Sequence, residues 1–168
     1  IIYQNISLIT PTSGPPGTSI DLFGTGYSLG EQVQINFGGA NLISTITSGA
    51  TEYRQGGTLT VTFTVPLQNS GTKTVIAYGT TSQGSDTTSF LIGPAIDLVP
   101  TTGTVGLMVI INGRGYVPVE QVRIDFGEFS SVATSTASGA GTFTTTFTIL
   151  TQPGTVTVKA TGLSIPER

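Results

Sequence analysis

The chain writes nearly the same phrase twice, EQVQINFG from Glu31 to Gly38 and EQVRIDFG from Glu120 to Gly127, 89 residues apart. The match is longer than the phrase: PTSGPPGTSIDLFGTGYSLGEQVQINFG (Pro11 to Gly38) lies over PTTGTVGLMVIINGRGYVPVEQVRIDFG (Pro100 to Gly127). At an offset of 84, GTLTVTFTV (Gly57 to Val65) meets GTFTTTFTI (Gly141 to Ile149). At 83, GTKTVIAYG (Gly71 to Gly79) meets GTVTVKATG (Gly154 to Gly162). A duplicated sequence builds a duplicated structure, so each copy must bury its own core within roughly 85–90 residues, the size of one small domain. The drop from 89 to 84 places five extra residues in the first copy, in the segment holding Tyr53 and Arg54.

Within each copy the side chains alternate with period two. Val33, Ile35 and Phe37 alternate with Gln34 and Asn36, and Leu59, Val61, Phe63 and Val65 with Thr60, Thr62 and Thr64. Such alternation gives a strand one buried and one wet face, and Gly and Pro clusters break the runs at the spacing of a sandwich. No stretch reads as a helix. The expected fold is all-β: two tandem immunoglobulin-like β-sandwiches of about seven strands each. The boundaries expected are an extended N-terminal segment over 1–5, a first sandwich over 6–93 and a second over 94–168.

Composition narrows the function. Thr, Gly, Val, Ile and Phe dominate and charged residues make up 9%, which fits a folded β protein rather than a disordered chain. Six basic residues against nine acidic ones, net charge −3, cannot supply the dense phosphate contacts of nucleic-acid binding, nor favour an anionic membrane surface. No run approaches a membrane span, so no insertion is expected. With no Cys and no His, the chain lacks disulfides, thiolate chemistry and a base poised near neutral pH. The same shortage predicts tolerance of acid. The start at Ile1, without Met, reads as a processed or excised product.

ITPTSGPPGTSIDLFGTGY and LVPTTGTVGLMVIINGRGY share a pattern: Pro, a Gly-bearing turn, an alternating strand, then Gly-x-Gly and an aromatic. In this the chain resembles IPT/TIG-type immunoglobulin-like domains across both copies. The resemblance implies a spacer or adhesion module of a prokaryotic surface protein, and it brings no catalytic residues.

Candidate sites are few. Gly24-Thr25-Gly26 and Gly113-Arg114-Gly115 lack the third Gly and the helix of a dinucleotide loop, and read as turns connecting strands. Glu31 and Glu120 recur in both copies and so belong to a shared turn, not to a unique acid–base pair. No enzymatic activity and no cofactor are expected; Asp125 and Glu128 could share a calcium ion with loop carbonyls. Tyr27, Tyr116, Phe37 and Phe126 are duplicated and read as core, leaving Tyr3 and Tyr53 as possible glycan contacts. Asn5-Ile6-Ser7 is a glycosylation sequon at Asn5.

The two ends do not match. After Gly79 the first copy continues into DTTSFLI (Asp86 to Ile92), a closing strand, whereas Gly162 is followed by Leu163, Ser164, Ile165, Pro166, Glu167 and Arg168. The second sandwich is therefore expected to lack its closing strand and to expose an open edge. Ahead of the first copy stand Ile1, Ile2 and Tyr3; with a second molecule's start laid after this one's end, Ile1 and Ile2 fall over Leu91 and Ile92. Where the first copy turns Ser19 and Asp21 to water, the second has Met108 and Ile110. The reading is a structural subunit of an extracellular or cell-surface assembly, a filament or surface layer, joined head to tail with copies of itself by strand donation. Its expected interface is Ile1, Ile2, Tyr3, Met108, Ile110, Leu163 and Ile165. The alternatives are a spacer or adhesion fragment of a longer surface repeat protein, and a carbohydrate-binding module using Tyr53.

Overall fold

The computed structural model describes residues 3–48, 56–150 and 154–163, and every regular element among them is a β-strand. The chain divides into two units: Ile1–Pro66 with Thr72–Ile92, and Leu67–Gly71 with Gly93–Arg168.

In the first unit β1 (Asn5–Thr10), β3 (Ser19–Tyr27) and β6 (Gly57–Thr64) form one sheet. The facing sheet has β2 (Ser13–Gly14), β4 (Gln32–Phe37), β5 (Ala40–Ile46), β7 (Gly71–Gly79) and β8 (Ser85–Ile92), in the order β2-β8-β7-β4-β5. The period-two residues meet across the ladders: Ile20 opposes Phe63, Leu22 opposes Val61, Ile35 opposes Ala77 and Phe37 opposes Val75. All eight lie in one buried cluster, with Phe90 and Ile92 of β8 among them. A two-residue turn joins β4 to β5, and Gly38 and Gly39 both have positive φ (55° and 89°), as a type I′ hairpin requires.

The second unit repeats this with six strands among the described residues. β9 (Ala95–Val99), β10 (Met108–Arg114) and β13 (Phe143–Thr148) form one sheet; β11 (Gln121–Phe126), β12 (Phe129–Thr136) and β14 (Val158–Gly162) form the other, in the order β12-β11-β14. The registers are those of the first unit: Val109 opposes Phe147, Ile111 opposes Leu98, Ile124 opposes Ala160 and Phe126 opposes Val158. Tandem β-sandwiches of immunoglobulin-like architecture are thus the fold. Tyr27, Tyr116, Phe37 and Phe126 are buried, as their duplication predicted. Burial pushes both tyrosine hydroxyls up to about 12.

The glycine pairs differ from expectation. Gly24-Thr25-Gly26 is not a turn connecting strands but the end of β3, where the ladder to β6 shifts between Gly24 and Tyr27. Gly113 and Arg114 likewise close β10. A Cβ on Gly26, which has a φ of 86°, would collide with the carbonyl oxygen of Tyr3, so the glycine lets the chain ahead of β1 lie against β3.

Candidate functional site

The site is a groove in the second unit where the first has β8. Its volume is about 460 Å³ and its apolar wall includes Leu98, Val109, Phe126, Phe147, Ile149 and Val158. Their counterparts in the repeat are Ile9, Ile20, Phe37, Phe63, Val65 and Val75, all buried in the core that holds Phe90 and Ile92. Phe90 lies with its ring centroid 5.7 Å from that of Phe37. In the second unit Phe126 instead tilts against Phe147 at 5.1 Å, closer than the 6.2 Å between Phe37 and Phe63. Leu98, Ile149, Val158 and Ala160 are half-buried where their counterparts are buried, so the groove is a core with one strand's side chains missing.

Two backbone edges border it. In the first unit β8 is flanked by β7 and by β2, which it meets in parallel: Ser13 opposes Leu91, Gly14 opposes Ile92, and the Leu91 N–H donates to the Thr12 carbonyl at 3.0 Å. In the second unit β14, the counterpart of β7, pairs with β11 and has no second neighbour among the described residues. The counterparts of Thr12, Ser13 and Gly14 are Thr101, Thr102 and Gly103, which line the groove outside any strand. Unpaired edges of this kind accept a strand readily.

Of the expected interface residues, Tyr3, Met108, Ile110 and Leu163 are among the described ones, and all four are exposed. Tyr3 is 76% exposed, its backbone lying beside Gly26 of its own unit. Met108 (61%) and Ile110 face solvent on β10, with exposed Val99 directly opposite Ile110. Leu163 is exposed just after β14, where its N–H donates to the Gln121 carbonyl at 2.7 Å. Ile1, Ile2, Ile165, Tyr53 and Arg54 lie outside the described residues. Asn5 is exposed at the start of β1.

Glu31 and Glu120 sit in matching turns. The Glu31 carboxylate accepts the Ser28 N–H at 2.7 Å, and that of Glu120 accepts the Val117 N–H at 2.7 Å, each from three residues upstream. Glu31 does more. It is buried, and it also accepts the N–H groups of Thr81 and Ser82 and the Ser82 hydroxyl. Burial pushes its carboxyl up, but the hydrogen bonds from Ser82, Ser28 and Thr81 outweigh that and hold it below the usual value. One carboxylate is therefore buried and hydrogen-bonded, a source of acid sensitivity that the expected tolerance of acid did not include. Asp125 is held below its usual value by the Ser131 N–H and the Arg123 guanidinium, both of which its oxygens accept. Among the described residues no three acidic side chains cluster as metal ligands would.

No family model and no curated protein matches the chain, and the resemblance to IPT/TIG-type domains is not confirmed by them. Among solved structures it is similar to a chain described as "Biofilm associated protein - BSP domain". That likeness covers 98% of this chain and 27% of the other, at 11% identity and a TM-score of 0.36. It bears on neither function nor partners.

Proposed function

We propose that the protein is a structural subunit of an extracellular assembly, whose second unit is completed by a β-strand from another copy of itself. The observation that carries this reading is the groove. Six of its apolar wall residues are the counterparts of six that share the first unit's core with Phe90 and Ile92, and two backbone edges without a partner strand among the described residues border it. A slot of that shape recognises an extended apolar segment by strand addition: backbone hydrogen bonds give direction, and pockets for alternate side chains give register. The contact is heterologous, with the start of one copy in the second unit of the next, so it propagates unless it closes into a ring. The role is structural rather than catalytic. Glu31 supports this, because its carboxylate is committed to backbone N–H groups instead of facing a cleft.

Deleting Ile1 and Ile2 tests the reading. The cut must stop there, because Tyr3 to Asn5 lie against Gly24 and Gly26 and Asn5 opens the first unit's own β1. The shortened protein should keep its β-sheet circular dichroism yet sediment as a monomer where the full chain assembles. Assembly unchanged by the deletion would refute donation from the N-terminus and point to a strand from elsewhere, such as residues continuing past Arg168 of the same chain.

A further inference from the structure

A one-residue bulge in the first unit fixes which side chain an arriving N-terminus would turn inward. In the second unit β9 pairs with β10 residue for residue, from Ile110 opposite Val99 to Arg114 opposite Ala95. In the first unit the ladder slips: Leu8 opposes Phe23, the next pair is Ile6 with Gly24, and Ser7 is left over. The inward residues show the same slip. Ile96 and Leu98 pack on the second core two positions apart, whereas Ile6 and Ile9 pack on the first core three apart. Downstream of Ser7 the two copies therefore correspond at an offset of 89, but upstream of it Ile6 corresponds to Ile96, an offset of 90.

Counting back from these paired isoleucines decides the register. Ile92 stands four residues ahead of Ile96, and Ile2 stands four residues ahead of Ile6. We propose that Ile2 of one copy fills, in the second unit of the next, the place that Ile92 fills in the first unit. Ile1 and Tyr3 then take the places of Leu91 and Gly93, and the place of Phe90 falls directly ahead of Ile1. This rests on the strand-donation reading. The environments agree with it: Ile92 is 1% exposed in its core, whereas Leu91 is 50% exposed. Tyr3, at the place after the inward one, already turns its ring to solvent. The repeat's offset of 89, carried unbroken through the N-terminus, would give the opposite phase, with Ile1 and Tyr3 inward over Phe90 and Ile92 and Ile2 outward, so the placing of Ile1 and Ile2 over Leu91 and Ile92 holds only with the bulge at Ser7.

The absence of native cysteine makes the register directly measurable by crosslinking. Ser13 opposes Leu91 in the first unit, and Thr102 is the counterpart of Ser13, so Ile1 should lie beside Thr102 of the next copy. Oxidation should link copies carrying Ile1→Cys and Thr102→Cys into disulfide-bonded ladders, and should leave Ile2→Cys with Thr102→Cys largely unlinked. In parallel, Ile2→Asp should abolish assembly while Ile1→Asp and Tyr3→Asp assemble within a few-fold of the unaltered chain. Linkage through Ile2→Cys, with assembly lost in Ile1→Asp and Tyr3→Asp, would overturn the register yet leave strand donation standing. No linkage in either pair, with all three Asp variants assembling normally, would overturn both.

Discussion

Phe90→Ala should turn the first unit into a likeness of the second. Phe90 is fully buried, its ring packs on Phe37, and no other residue of β8 places an aromatic in that core. Truncating a buried Phe removes its transfer energy and leaves a cavity, at about 3–5 kcal/mol. That is a large share of the roughly 5–15 kcal/mol that holds a domain together. For a unit of this size each kcal/mol shifts the melting temperature by about 4–8 °C, so the first unit should melt at least ~12 °C lower. The assay is thermal and urea unfolding followed by circular dichroism, with Leu91→Ala as control. Leu91 is half exposed, so its truncation should cost under about 1 kcal/mol. The second unit's transition should not move. A Phe90→Ala cost below about 1 kcal/mol would mean that β8 does not fill the core as described. The groove in the second unit would then no longer count as the place of a missing strand.

Replacing residues 163–168 by the sequence of 80–93 should give the second unit its own closing strand; sedimentation should then find a monomer, and its melting temperature should rise. Glu31→Gln should cost about 1.5–3 kcal/mol near neutral pH, the worth of hydrogen bonds to a charged group. Because the folded carboxyl sits below its usual 4.5, its contribution is present above that pH and lost as pH falls through the folded value. Acid unfolding curves below about pH 4.5 should therefore flatten in Glu31→Gln, and identical curves would rule out this carboxylate as the acid-sensitive group. Tyr27 and Tyr116 should ionise near 12, visible as a late step in an ultraviolet titration. Their raised values mean that stability present below pH ~10 is lost as pH climbs toward 12. Met108→Ser with Ile110→Thr, both on the exposed face of β10, should change stability by no more than about 0.5 kcal/mol per site.

Much of the fold was legible because alternation and repetition are local signals. Val33, Ile35 and Phe37 could be assigned to the core from spacing alone, and DTTSFLI could be read as a closing strand because its counterpart after Gly162 was missing. The duplicated Glu31 and Glu120 likewise pointed to a shared turn. Three features were not legible. Gly24 and Gly26 looked like a turn because glycine marks turns and close approaches alike; the chain segment they admit, Tyr3 to Asn5, is distant in sequence. The deeper role of Glu31 depends on Thr81 and Ser82, in a loop with no matched sequence in the second copy. The bulge at Ser7 leaves no mark in the alignment of the copies, since both strands keep two apolar residues facing inward and differ by one position in where they fall.

The way β8 is held bears on what such a joint could withstand. It is clasped on both sides, by β7 and by the short parallel partner β2. Load applied along a strand seated like this in the second unit would run parallel to its length. The strand's hydrogen bonds lie across that direction, so they would be loaded in shear and would have to break together, instead of opening one after another like a peeled hairpin. A joint made from the fold's own closing strand would then yield under tension at a force set by the whole ladder, rather than by its weakest pair.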